Sequence, residues 1–215
     1  MGSGAKRLAL TGGIGCGKSA VADLLQKDGF RIVDTDLMAR MVVEPGQEGY
    51  EKVIDAFGNS ILNSDGTIHR GRLGQIVFSD PSRRDQLNSL LHPIIRKQWQ
   101  MRQYESWETF PSVPVVVVIP LLFEAGLESE FDSIACVACS RQIQWERLSA
   151  RGLSSEQIEQ RLKAQMNLER KMELARYVVW NDSSLALLER LTSELAFKWR
   201  PGERKTFVNK KENHV

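Results

Sequence analysis

The chain has 215 residues, 42% of them hydrophobic and 26% charged, with a formal net charge of only +2. That length suits one sizeable α/β domain with room for a helical insertion, and the near-neutral charge excludes a global drive toward nucleic acid. No apolar run reaches the ~18 residues of a membrane span, and the N-terminus lacks the apolar stretch of a signal peptide; the expectation is a cytoplasmic protein with no membrane partner.

Leu8-Ala9-Leu10-Thr11 reads as a first strand. Gly12 to Ser19 then spells G-x-x-x-x-G-K-S, and Lys18 to Lys27 reads as the helix that follows. Strand, glycine-rich loop and helix together make a phosphate-binding P-loop. The glycines let backbone N–H groups turn inward around phosphate oxygens, and the helix N-terminus adds partial positive charge there. Lys18 can reach the terminal phosphates of a nucleoside triphosphate, and the Ser19 hydroxyl can ligate Mg²⁺.

Phe30 to Asp34 reads as a second strand ending in an acid, and Thr35 to Val43 as a helix capped by Asp34 or Thr35. Pro45-Gly46 breaks it. From Gln47 to Glu108 the pattern is almost wholly helical, with Tyr50, Val53, Ile54 and Phe57 on one apolar face. Asn63 to Thr67 is a turn, Arg72 to Phe78 a short helix, and Pro81 opens a helix running to about Trp107. Val113 to Ile119 is a continuous β-branched run expected in a central parallel strand. Ser133 to Cys139 is another strand. Helices are expected over Gln142 to Arg151 and Ser155 to Arg170, then a strand over Tyr177 to Trp180. Ser183 or Ser184 caps a last helix through about Lys198, and Trp199 onward reads as tail.

This order predicts a P-loop α/β fold of three layers with a central parallel sheet of about five strands. One kinase-like domain is expected over residues 1–200, with its core at about 6–37, 112–140 and 175–198. A helical acceptor-binding insertion is expected over about 38–110, a helical lid over about 141–172, and a mobile basic tail over 201–215. Three cysteines, Cys16, Cys136 and Cys139, are too few and too odd for a disulfide framework. Cys136 and Cys139 match C-x-x-C, but residues three apart on a strand point to opposite faces, and no second pair completes a zinc site.

A GTPase-type switch and a metabolite kinase compete for this loop. Asp55-Ala56-Phe57-Gly58 fits the D-x-x-G of a switch but sits on an amphipathic helix, and Asn209 to Glu212 only resembles N-K-x-D. A motor ATPase wants an acid after the central strand; here Pro120 follows. Asp34-Thr35-Asp36, beside the P-loop, favours a kinase. One carboxylate can serve Mg²⁺ waters and the other an acceptor hydroxyl, the alternative being a helix cap plus a first-turn acid. Arg147 and Arg151, four apart, can form a cationic lid with Arg161, the alternative being a solvated helix face.

These residues resemble the dephospho-coenzyme A kinase family from about Leu8 to about Leu195. The likeness rests on Leu10 to Ser19, Val33 to Asp36 with Ala39-Arg40, Leu91-His92-Pro93, and Pro120-Leu121-Leu122-Phe123-Glu124. It continues through Gln144 to Arg151, Arg161 with Gln165, and Asn181. The resemblance implies ATP-dependent phosphorylation of the ribose 3′-hydroxyl of dephospho-coenzyme A. By it Gly13, Ile14, Gly15, Cys16, Gly17, Lys18, Ser19 and Ala20 bind ATP. Asp36 is the base, Arg147, Arg151 and Arg161 belong to the lid, and Asn181 approaches the adenine. His92 and Glu124 then contact the acceptor. Read by themselves, His92 is a structural histidine beside a helix proline and Glu124 a helix N-terminal acid. The chain departs from the family at Ala20, where Thr is usual, and at Arg176 and Trp180. A monomer or weak homo-oligomer is expected.

Overall fold

The computed structural model describes residues 6–200, so the expected tail at 201–215 lies outside the described residues. Five strands form one sheet: β1 (Leu8–Gly12), β2 (Arg31–Asp34), β3 (Val115–Val118), β4 (Ser133–Ala138) and β5 (Tyr177–Trp180). All neighbouring strands run parallel, in the order β2-β3-β1-β4-β5. In the centre Leu10 of β1 lies opposite Val118 on one side and Ala135 on the other. The chain fills one side of β1 with β2 and β3, then the other with β4 and β5. A reversal of this kind opens a crevice at the carboxyl ends of the strands.

Alternation along the strands separates two apolar layers. Leu8, Leu10, Val116 and Val118 face α1 (Lys18–Lys27) and α9 (Leu185–Trp199), meeting Val21, Leu25, Leu188 and Leu195. Ala9, Val115 and Val117 face α5 (Pro81–Thr109), where Trp99 stacks on Phe131 with centroids 5.5 Å apart. All four residues of β3 are buried, as its β-branched run requires.

The helix α5 spans 29 residues, about 43 Å at the usual rise per residue. Pro81 occupies its first turn, and the Asp80 carboxylate caps it by accepting from the N–H groups of Ser82 and Arg83. Its first half, through Leu91 and Ile94, closes a separate cluster with α3 (Glu48–Phe57) and α4 (Arg70–Ser79) by way of Val53, Leu73 and Val77. Its second half packs on the sheet through Trp99. The D-x-x-G fit at Asp55 to Gly58 lies at the end of α3, with Gly58 closing that helix at φ 76°, and the N-K-x-D fit lies outside the described residues.

Two expectations are corrected. The single helix expected over Ser155 to Arg170 is two, α7 (Ser155–Lys163) and α8 (Leu168–Leu174). Asn167 starts the second by accepting from the N–H groups of Glu169 and Arg170. Trp199 belongs to the core, not the tail: it is 1% exposed, lies 6.4 Å from Phe30 centroid to centroid, and donates its indole N–H to Ser133 Oγ at 3.0 Å.

Trp199→Ala is therefore expected to destabilise the fold by about 3–5 kcal/mol, the range for emptying an aromatic site in a core. Urea unfolding measures it; an unchanged midpoint would return Trp199 to the tail.

Candidate active site

The P-loop leaves β1 at Gly12, whose φ of 143° suits glycine alone, and a Cβ there would collide with the Val137 carbonyl. Gly17, at φ 92°, sits on the N-terminus of α1 with no room for a side chain against the Asn181 amide. Lys18 Nζ donates to the carbonyls of Gly12 at 2.9 Å and Gly13 at 2.8 Å, and burial holds its ammonium below the usual lysine range. Ser19 is exposed on the first turn of α1, and Ala20 packs against the sheet core.

Side chains from distant elements brace this loop. At its tip the Ile14 N–H donates to Gln165 Oε1 at 3.0 Å, and the Ile14 carbonyl accepts from Gln144 Nε2 at 2.8 Å. Arg147, on α6 (Arg141–Ala150), donates to the carbonyls of Gly15 at 3.3 Å and Cys16 at 3.4 Å and to that of Asn181 at 3.0 Å. Asn181 Nδ2 donates to the Cys16 carbonyl at 2.8 Å. The residues expected as a mobile lid and an adenine contact thus behave differently: Arg147 is fastened to the loop, and Asn181 is buried behind it. Arg151 sits at the end of the same helix, four residues on from Arg147, and is not fastened to the loop. The helix ends at Ala150, and Arg151 is its exposed C-cap, its N–H bonded to the Leu148 carbonyl and its guanidinium with no hydrogen bond or ion pair among the described residues. Arg161 lies 4.8 Å from the Phe78 ring of α4 and makes no hydrogen bond to the P-loop. Of the departures, Arg176 leans on Tyr177 at 5.7 Å and Trp180 is exposed.

The two acids divide their work. Asp34 caps α2 (Thr35–Met41): its Oδ1 accepts from the N–H groups of Asp36 at 2.8 Å and Leu37 at 3.3 Å. Asp36, one step into that helix, lines a cleft of about 570 Å³ shared with Ala39, His92, Arg96, Pro120 and Leu121. Burial first, and Asp34 second, raise its carboxyl above the usual range, against Lys18 and Arg40. Burial also lowers the imidazolium of His92, which favours its neutral form. The His92 imidazole has no hydrogen-bond partner among the described residues, so it does not satisfy a buried polar group and stands open to the cleft.

Glu124 is not at a helix N-terminus. It lies in the turn after β3, where Leu121 and Ala125 form the cleft wall while its own carboxylate meets the fully buried Lys171 at 2.7 Å and the Met166 N–H at 2.8 Å. Lys171 Nζ also donates to the Pro120 carbonyl at 2.9 Å. Sequence reasoning passed over Lys171, because one lysine on a short polar helix carries no periodic signal. The stretch Gln165 to Lys171 consequently ties the P-loop tip to the acceptor-side turn. No group of three or more His, Cys, Asp or Glu that could hold a metal exists among the described residues.

The Dephospho-CoA kinase family model matches residues 7–186. The dephospho-CoA kinase of Carboxydothermus hydrogenoformans is 41% identical over 195 residues, covering 90% of this chain and 94% of its own. That of Pseudoalteromonas translucida is 40% identical over 183 residues, 85% of each chain. A solved Thermus thermophilus structure superposes with a TM-score of 0.73 at 34% identity, covering 89% of this chain and 96% of that one. The dephospho-CoA kinase structure from Campylobacter jejuni gives 0.66 at 25%, covering 91% and 98%.

Two expectations follow from the braces. Arg147→Ala removes bonds to three carbonyls and should destabilise the nucleotide-free protein by about 1–3 kcal/mol, whereas Arg151→Ala should stay within about 0.5 kcal/mol of the parent; paired thermal melts distinguish them, and equal shifts would overturn the assignment. Lys171→Met leaves the Glu124 carboxylate unpaired and should cost about 3–5 kcal/mol. The double variant with Glu124→Leu should recover part of that loss; a double variant no more stable than Lys171→Met would mean the pair is not coupled.

Proposed function

The chain belongs to the dephospho-CoA kinase family, and from that premise and the layout of its site we infer that it transfers the terminal phosphoryl group of ATP to the ribose 3′-hydroxyl of dephospho-CoA. The products are CoA and ADP, so the enzyme performs the last step of CoA synthesis. One observation carries this reading at the site: Asp36 lines a cleft separate from the P-loop yet feels the charge of Lys18. A transfer between two bound molecules needs such a junction. A nucleotide switch does not, and that reading is not favoured.

Backbone N–H groups from Gly13 to Ala20 hold the phosphates, and Lys18 exchanges its two loop carbonyls for phosphate oxygens. Asp36 orients the acceptor hydroxyl and takes its proton as the oxygen–phosphorus bond forms and the bond to the ADP oxygen breaks. A raised carboxyl is the better base for this. His92, neutral and open to the cleft, faces the acceptor. Arg151, whose guanidinium has no hydrogen bond or ion pair among the described residues, is the lid cation assigned to the phosphates, with Arg161 on the acceptor side. Glu124 acts through Lys171 to position the cleft wall.

Mg²⁺ fits the donors present. The exposed Ser19 hydroxyl and the carboxylate oxygen of Asp34 left free by capping are hard oxygen donors, suited to an ion that retains several waters. When bound, the ion supplies charge neutralisation on the transferring group. The enzyme is assigned to the cytoplasm, where ATP is abundant, as a monomer or weak homo-oligomer, with no nucleic-acid partner.

A coupled ADP-release assay across dephospho-CoA, adenosine, AMP, shikimate and no acceptor tests the reading. Turnover should require Mg²⁺ and prefer dephospho-CoA; equal release without acceptor would make the protein an ATPase. Asp36→Asn should lower kcat by ~10²–10⁴-fold with ATP affinity preserved. Near-normal turnover would leave Asp36 as a helix-start acid only.

A further inference from the structure

We propose that Cys16 and Cys139 are a paired modification site, cross-linked reversibly to a disulfide by hydrogen peroxide or an organic hydroperoxide, which disables the nucleotide-binding loop. Cys16 lies within the P-loop and Cys139 directly after β4, 123 residues away in sequence, yet their sulfurs stand 3.5 Å apart with the Cys139 thiol donating to Cys16. Both side chains belong to the same apolar layer. Cys136 is no rival: it lies three residues before Cys139 on β4, outside that layer.

The chemistry divides unequally between the two thiols. The hydrogen bond from Cys139 lowers the Cys16 thiol to about 7, with burial opposing and Lys18 assisting. Cys139 is held well above the usual thiol range by its bond to Cys16. Cys16 is therefore the thiol of the pair that ionises first, and the thiolate is the nucleophile. Its sulfur attacks a peroxide oxygen, the O–O bond breaks, and a sulfenic acid and hydroxide (or alkoxide) form. The Cys139 sulfur then attacks the Cys16 sulfur. The S–S bond forms, the S–O bond breaks, and water leaves with the Cys139 proton. In net terms two thiols are oxidised and one peroxide is reduced to two waters, or to an alcohol and water.

Cys16 is buried, but Cys139 and Gly13, the latter directly against the Cys16 sulfur, border an open cavity of about 350 Å³ from which a small oxidant approaches the pair. Closing the pair requires the sulfurs to approach to about 2.05 Å. Drawing Cys16 toward Cys139 strains the bonds that hold the loop, those of the Cys16 carbonyl with Arg147 and Asn181 and of the Cys16 N–H with Gly13. Bound phosphates should slow the reaction by engaging Lys18, the charge that favours the Cys16 thiolate.

The test treats the full chain with hydrogen peroxide and follows three readouts: intact mass, linked peptides, and affinity for a fluorescent ATP analogue, none of which depends on the acceptor. Expected are a mass lower by two hydrogens, a Cys16–Cys139 peptide, nucleotide binding at least about tenfold weaker, and full recovery with dithiothreitol. Saturating ATP should slow the loss, Cys136→Ser should behave as the parent, and Cys139→Ala should not lose the two hydrogens. If Cys139→Ala fails to fold, peptide mapping of the parent still decides. Loss of binding without the Cys16–Cys139 peptide, a linked protein that binds nucleotide normally, or no reaction at all would each overturn the proposal.

Discussion

A P-loop must keep its amides pointing into an empty cradle, so its carbonyls turn outward and need partners. Everything around the site answers that demand. The carbonyls of Gly12 and Gly13 take Lys18, that of Ile14 takes Gln144, and those of Gly15 and Cys16 take Arg147 and Asn181. These partners come from α1, from α6 and from the residue after β5. The loop is rigid because three separate elements hold it, a form of preorganisation that a charge-dominated transfer exploits.

The acceptor side depends on a second constraint, the length of α5. One helix closes the α3–α4 cluster with its first half and covers the sheet with its second. The cleft between α2, α5 and the turn after β3 is thereby set at a fixed distance from the P-loop. The Lys171 ion pair reinforces this from below, fixing the turn after β3 through both Glu124 and the Pro120 carbonyl. Burying an unpaired lysine would be prohibitive, so this contact specifies one arrangement of α8 against the turn.

Charge within the site is graded by burial. Lys18 is destabilised as a cation and Asp36 as an anion, yet each lies in the other's field. Both are poised for partners that bring the missing counter-charge or proton: phosphates for the lysine, a hydroxyl for the acid. Asp34, by contrast, has a ready use in capping α2 and so stays anchored at the strand end.

Local chemistry made much of this legible in the sequence. The P-loop announces itself because its glycines, Lys18 and Ser19 act within one contiguous stretch, and the β-branched run of β3 and the Asp80-Pro81 start of α5 are likewise short-range signals. The Asp34–Asp36 pair was visible, but not its division of labour, which turns on one capping bond. Contacts between residues far apart in the chain were not legible. Arg147 looked like a lid, and its task as a brace appears only when α6 lies against the loop. Asn167 could split a helix only where the chain had to turn back toward Glu124, and Trp199 became core because Ser133 and Phe30 wait for it. Backbone conformation and helix capping are decided within a few residues. Bracing, burial of Lys171 and the meeting of Cys16 with Cys139 depend on which surfaces the sheet brings together, and that only tertiary structure decides.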